Sequence, residues 1–181
     1  MKKILFLDRD GVINRFPGMG SYVTRLKDFH FLPNAARAIG LLTRSGYELN
    51  VISNQGCVAR KLITRARLDR LTQKMKRAVA IKGGRLRVFY CFHQQSDDCA
   101  CKKPKIKLFK KAIRGRKIDL KSTYFIGDSE EDVMAGKGLG CRTVLVLSGR
   151  NKRRDVRAFS VKPDLIKKDL WEAARWIARK K

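Results

Sequence analysis

The feature that most limits what this chain can fold into is an alternation. Apolar runs of strand length are separated by longer stretches whose apolar residues recur at helical spacing. Ile4 to Leu7, Leu49 to Ile52, Val88 to Tyr90, Tyr124 to Ile126 and Val144 to Leu147 read as buried strands. Between them, Asn34 to Ser45 places Ala35, Ala36, Ile39 and Leu42 on one face, and Leu68, Leu71, Met75 and Val79 repeat after Thr64. Leu108 to Ile113, Ser129 to Lys137 and Asp169 to Ala178 supply further helices. Strands that alternate with helices predict the α/β class, an open parallel sheet flanked by helices. There is no repeat, low-complexity tract or Pro/Gly/Ser linker, so residues 1–181 are expected to form a single domain.

The tripeptide at the end of each strand is polar or ligating. Asp8-Arg9-Asp10 comes after the first, Ser53-Asn54-Gln55 after the second, Cys91-Phe92-His93 after the third and Gly127-Asp128-Ser129 after the fourth. Ligands of open parallel sheets bind in the crevice outside the carboxyl ends of the strands, so these tripeptides should converge on one site.

Asp8 and Asp10 flank Arg9 and precede Gly11, where the backbone can turn sharply. Together with Asp128 they would repel one another unless a cation sat among them, and a hard divalent ion with oxygen ligands, Mg2+, fits. Any one of these aspartates alone could be a turn or helix cap; three at strand ends fit that reading poorly. A carboxylate with an ordinary pKa of ~3.9 is ionised at neutral pH and can attack phosphorus to give an aspartyl-phosphate. Asp10 would protonate the leaving oxygen and later deprotonate water. Ser53 and the amide of Asn54 can donate to phosphoryl oxygens, and Lys103, with Pro104 directly after it, supplies a point charge. Asp132 stays open between metal site and helix cap, because Ser129 to Asp132 is also a capping-box sequence.

The stretch 91–101 gathers Cys91-x-His93, a short gap, and Cys99-x-Cys101. Four soft or borderline ligands form the tetrahedral Cys3His set of structural Zn2+ and leave no open catalytic position. Free buried thiols beside a chance histidine are the alternative. A zinc loop here would hold the adjoining Lys102, Lys103 and Pro104 toward the phosphate.

DRDGV at 8 to 12, SNQ at 53 to 55, KKPK at 102 to 105 and GDSEED at 127 to 132 resemble the four motifs of haloacid-dehalogenase (HAD) superfamily phosphatases, in order and across essentially the whole chain. The resemblance implies a Rossmann-like HAD fold. It also implies Asp8 as nucleophile, Asp10 as acid/base and carbonyl ligand of magnesium, Ser53 and Asn54 as phosphate binders, Lys103 as charge stabiliser and Asp128 as magnesium ligand. The cysteine-histidine loop before the third motif is similar to that of phosphatases acting on D-glycero-D-manno-heptose 1,7-bisphosphate and on histidinol phosphate. GSYVTRLKDFHFLPNAARAIGLL and SNQGCVAR resemble the heptose group, whereas the short gap in the zinc loop and CKKPKIKL resemble the histidinol group. Lys102 stands where both groups usually carry arginine, and Ser129 where the heptose enzymes often carry lysine. Arg60 matches a loop arginine of the heptose group and either holds a substrate phosphate or faces solvent.

The intervals between motifs leave no room for a cap domain, so specificity should come from Phe16 to Lys27, Gly56 to Thr64 and the zinc loop. A crevice lined by Arg25, Lys27, Arg60, Lys61 and Lys102 would suit a second phosphate, favouring a sugar bisphosphate. Charge adds another possibility: 43 Lys and Arg against 16 Asp and Glu leave +27. Such a surface attracts polyanions, so a polynucleotide end, or a purely nucleic-acid-binding role, stands as the alternative. Runs such as Arg60 to Arg77 ordinarily form solvated helix faces; a dedicated polyanion groove is the other reading. The opening Met1-Lys2-Lys3 precedes only four apolar residues, too few for a secretory or membrane segment. The expectation is a cytoplasmic monomer with reduced thiols and no membrane contact.

Overall fold

In the computed structural model, which describes residues 3–180, one six-stranded sheet has the order β3-β2-β1-β4-β5-β6. Met1 and Lys2 of the opening stretch lie outside the described residues. The strands are β1 (Lys3–Leu7), β2 (Tyr47–Asn54), β3 (Arg87–Cys91), β4 (Tyr124–Gly127), β5 (Arg142–Val146) and β6 (Leu165–Lys167). All pair in parallel. The helices are α1 (Ala35–Arg44), α2 (Arg65–Ala80), α3 (Lys107–Ile113), α4 (Glu130–Leu139) and α5 (Leu170–Arg179). All five expected strands are present. β6 is an addition; Leu165-Ile166-Lys167 is too short, and too incompletely buried, to leave a pattern in sequence.

Side-chain alternation assigns the helices to faces. Leu5, Leu7, Leu49 and Val51 point to the face covered by α1, α2 and α5, where Ile39, Leu42, Leu71, Met75 and Ile177 are buried with them. Ile4, Phe6, Ile52 and Phe125 point to the opposite face, against Phe109 and Ala112 of α3 and Ala135 and Leu139 of α4. There Phe109 meets Phe6 and Phe125 edge-on, with centroids 5.0 and 4.9 Å apart. Each such pair adds about 0.5–1.5 kcal/mol beyond the area it buries. Side chains start three of the helices: Thr64 accepts from the Arg67 amide at α2, Ser129 with Asp132 forms a capping box at α4, and Asp169 accepts from the Glu172 amide at α5.

This order makes β1 the switch point, with β2 on one side and β4 on the other, and the crevice opens beyond its carboxyl end. Leu7 pairs with both Val51 and Ile126, and the Asp8 amide donates to Ile126 O at 2.9 Å. The residues after β1, β2 and β4 therefore emerge side by side. Between Asn14 and Asn34 the chain forms only a short 3-10 turn, Leu26–Asp28, and no cap domain stands over the crevice among the described residues. No helix there is long and apolar enough to cross a membrane.

Candidate active site

A cavity of about 220 Å3 lies at this crevice, with Asp8, Asp10, Asn54, Lys103 and Asp128 in its wall. Asp8, Asp128 and Asp132 are 8, 3 and 2% exposed, and one oxygen of each lies within 4.8 Å of the others. Lys103, 4% exposed, reaches from the loop after β3 to place Nζ 2.8 Å from Asp8 Oδ1 and 2.6 Å from Asp132 Oδ1. Burial works against the Lys103 charge, but Asp132 and Asp8 outweigh it and raise its proton affinity. The carboxyls carry the complementary strain. Burial, with repulsion from Asp132 and Asp10 only partly offset by Lys103, pushes Asp8 up to about 7, and burial with Asp132 and Asp8 pushes Asp128 well above the usual range.

Three buried carboxyls facing one lysine leave negative charge uncompensated, and Asp8 Oδ1, despite the nearby ammonium, has no partner in hydrogen-bonding direction. A divalent ion with oxygen ligands fits this donor set; bound, it would restore both aspartates to the ionised form. Space for the Asp128 carboxylate is made by Gly11, held at φ +83°, and by Gly149, since a Cβ at either would collide with it. The Arg150 amide fixes it further, donating to Asp128 Oδ2 at 2.6 Å.

Asp132 serves the cap of α4 and also stands in the carboxylate cluster. Its Oδ2 accepts from the Asp128 and Ser129 amides, both at 3.1 Å, and from Ser129 Oγ at 2.6 Å, while Oδ1 takes Lys103. It completes the capping box that Ser129 opens and, through its second oxygen, anchors the lysine.

The Asp10 carboxylate does not face the ion site. Arg9 grips it through Nη2, 2.9 Å from each oxygen, and Asn14 Nδ2 and Gln55 Nε2 donate to it at 2.8 Å each. Any metal contact from Asp10 is thus left to its backbone carbonyl. Arg9 is 1% exposed and lies 5.8 Å from the Tyr90 ring centroid; burial disfavours its charge, but Asp10 and Tyr90 more than compensate. Sequence reading passes over Arg9, Asn14 and Gln55, although two polar side chains flanking an acid in a strand-end motif are a signal for such a clamp.

The Asn54 side chain is spent on the chain that carries the lysine, a role the sequence did not suggest. Nδ2 donates to Lys103 O at 3.2 Å, and Oδ1 accepts from the Lys103 amide at 3.0 Å. Only the Asn54 amide is left for a phosphoryl oxygen. Ser53 is buried, its Oγ accepting from Gln55 Nε2 at 3.0 Å. Of the cations expected around the crevice, Lys102 lines the cavity. Arg60 instead lies 5.8 Å from the ring centroid of Tyr22, and Tyr22 forms the wall. Arg25 is turned to Asp28 at 2.7 Å, and neither Lys27 nor Lys61 is in the wall. Arg150, which was not among the cations expected there, takes a place in the wall near Glu131.

Cys91, His93, Cys99 and Cys101 converge beside this site, their ligand atoms all within 4.8 Å of one another. The Sγ atoms of Cys91, Cys99 and Cys101 are 3.1 to 3.5 Å apart, and His93 Nδ1 lies 3.2 Å from Cys101 Sγ. A tetrahedron with Zn–S bonds of ~2.3 Å has edges of about 3.8 Å, so the four atoms need move only slightly to hold zinc. Burial raises a thiol, but at Cys99 the backbone amides of Cys101 and Lys102 and the neighbouring thiols win and lower it to about 7. Donors aimed at sulfur suit a metal-bound thiolate, and none of the cysteines is in a disulfide.

Comparison with known proteins places this geometry. The HAD-hydrolase-like family model matches residues 100–173. D-glycero-beta-D-manno-heptose-1,7-bisphosphate 7-phosphatase of Pseudomonas putida is 33% identical over 152 residues, covering 83% of this chain and 86% of that protein. The Pasteurella multocida protein of the same name is 35% identical over 158 residues, covering 83% and 84%. The chain belongs to this phosphatase family. Among solved structures, D,D-heptose 1,7-bisphosphate phosphatase from B. bronchiseptica, complexed with magnesium and phosphate, superposes with a TM-score of 0.91 at 31% identity, covering 99% of both chains. The family fold and the carboxylate cluster both support magnesium as the cofactor of this HAD phosphatase.

Proposed function

We propose that this phosphatase hydrolyses the 7-phosphate of D-glycero-D-manno-heptose 1,7-bisphosphate, acting as a cytoplasmic monomer in which residues 1–181 form one catalytic domain. The observation that carries the reading is Asp8: a buried strand-end carboxylate in the carboxylate cluster, with Oδ1 held 2.8 Å from Lys103 Nζ. Relatives named for this substrate match over more than four fifths of the chain, and Lys102 and Arg150 in the cavity wall suit a substrate with a second phosphate.

In this reading an Asp8 oxygen attacks phosphorus, and the bond from phosphorus to the ester oxygen breaks as Asp10 delivers a proton to that oxygen. Water then attacks the aspartyl-phosphate, Asp10 takes back a proton, and phosphate leaves with Asp8 restored. Asp10 must turn from its Arg9, Asn14 and Gln55 partners toward the cavity for both transfers. Ser53 Oγ and the Asn54 amide donate to phosphoryl oxygens, and Lys103 offsets their charge. Magnesium, held by Asp8, the Asp10 carbonyl and Asp128, would supply further compensation of phosphate charge. Zinc, held by Cys91, His93, Cys99 and Cys101, would fix the loop from which Lys102 and Lys103 extend. Arg60 is a rim residue in this scheme, backing Tyr22.

The test is phosphate release from heptose 1,7-bisphosphate and histidinol phosphate side by side, by wild type and Asp8→Asn. Turnover of the bisphosphate that needs Mg2+ and disappears in the variant is expected. Equal turnover by the variant would remove Asp8 as nucleophile, and preference for histidinol phosphate would reassign the substrate.

A further inference from the structure

The net charge of +27 is not explained by one small phosphorylated substrate. Much of the excess is spread over the surface, but one part is organised. On α2 the apolar residues Leu68, Leu71, Met75 and Val79 are buried, and Arg67, Arg70, Lys74 and Arg77 are exposed. At 100° per residue these four fall within a stripe about 80° wide, and from first to last they span about 15 Å of helix. The stripe forms the wall of a surface groove, whose opposite wall is the turn at Leu26. The groove consists of two adjoining hollows of about 290 and 520 Å3 that share Leu26 and Arg70.

Most of the charge in this groove is free. Arg67, Arg70 and Arg77 have no carboxylate within ion-pair distance among the described residues, and Lys74 donates to Leu26 O at 2.7 Å while remaining exposed. Arg25 at one end is paired with Asp28, and Asp69 lies on the flank. The groove shares no wall residue with the active-site cavity, so it does not belong to the site already described.

We propose that this groove binds the sugar-phosphate backbone of a nucleic acid. A straight row of cations matches a ligand whose charge is itself linear, and duplex DNA presents about one negative charge per 1.7 Å of axis. Guanidinium groups, the majority here, fit phosphate oxygens in a two-pronged fashion that ammonium does not. An anionic membrane matches less well. Surface-seeking helices set an apolar stripe beside their cations, whereas the apolar stripe of α2 is in the core and Leu26 is the exposed large apolar residue of the groove. Backbone contact without groove-reading elements also means that the binding should be indifferent to base sequence.

The experiment is fluorescence anisotropy of the full-length protein with a labelled 20-base-pair DNA duplex of arbitrary sequence, and with one of its strands alone, titrated with salt. About four phosphate contacts give a log-log salt slope of about −3 to −4 on the duplex, hence roughly 100-fold weaker binding at 200 mM than at 50 mM. Changing Arg67, Arg70, Lys74 and Arg77 together to Gln should weaken duplex binding at 50 mM by about 30-fold or more and flatten the slope toward −1. Arg70→Gln alone should give a measurable share of that loss. The control replaces Lys110, Lys111, Lys117 and Lys121, exposed on the opposite face of the sheet, with Gln. It removes the same charge and should cost much less, and unfolding midpoints of all variants report that the fold is kept.

Equal losses in the two sets would mean that only total charge matters, and would overturn the proposal, as would failure of the wild type to bind at 50 mM. Groove-dependent binding of phosphatidylserine vesicles or polyglutamate, as tight as that of DNA, would overturn the choice of nucleic acid. Single strand and duplex distinguish which form of the backbone the groove prefers. None of these readouts depends on phosphatase activity.

Discussion

Replacing Asp132 with Asn tests the structural logic of the site most directly. The carboxylate accepts three donors on Oδ2 and the Lys103 ammonium on Oδ1. An amide of the same shape has only one acceptor oxygen. If that oxygen serves the α4 cap, the NH2 group confronts Lys103; if it serves Lys103, the NH2 group confronts two amides and a hydroxyl. Removing one partner of a buried ion pair costs about 3–5 kcal/mol, and retention of the Asp8 contact places this case at the lower end, about 3 kcal/mol. For a chain of this size that is a drop of about 6–12 °C in the unfolding midpoint, to be measured by calorimetry on zinc-loaded protein with and without Mg2+. Turnover should fall as well, because Lys103 loses one of its two anchors, but the Mg2+ concentration giving half-maximal activity should not rise. A midpoint within about 2 °C of wild type, a loss of at most about 1 kcal/mol, would refute the account. So would a raised Mg2+ requirement with an unchanged midpoint, which would make Asp132 a metal ligand.

The same geometry sets further outcomes. Gly149→Ala puts a Cβ into the Asp128 carboxylate; overpacking of this kind costs about 1–3 kcal/mol, and the Mg2+ requirement in activity titrations should rise with it. Cys99→Ser should bring zinc, measured by elemental analysis, from one ion per chain toward none, and should expose 91–101 to protease before the rest of the chain; retention of a full zinc complement would remove Cys99 from the ligand set. Asp164 is raised by burial, but Lys137 at 2.5 Å and the Thr143 amide and hydroxyl outweigh this and hold its carboxyl below the ordinary range. Its stabilisation is therefore complete above the unfolded carboxylate pKa of ~3.9 and is lost as pH falls through the lower folded value. The gap in unfolding midpoint between wild type and Asp164→Asn should be constant from neutral pH to about 5 and close below about 4; a gap that widens on acidification would contradict the sign.

Much of the fold and site is legible in the sequence. Strand and helix periods are local properties of the chain, and a parallel sheet delivers the residues after its strands to one edge. Asp8, Asp128 and the cysteine-histidine loop can therefore be placed together from their positions after the apolar runs. The convergence of Cys91, His93, Cys99 and Cys101 is legible for a similar reason, because the four sit within eleven consecutive positions. β6 is not, since three half-buried residues carry no period.

What the tertiary structure alone decided is where each polar side chain spends its hydrogen bonds. Asp10 turns to Arg9, Asn14 and Gln55, Asn54 clamps the Lys103 backbone, Arg25 answers Asp28, and Arg150 enters the cavity wall where Arg60 does not. A buried polar group takes the partner that geometry brings within about 3 Å, and those partners come from strands and loops far apart in the chain. The raised proton affinities of Asp8 and Asp128 have the same origin: they arise only when β1 and β4 lie side by side and bring like charges together away from water.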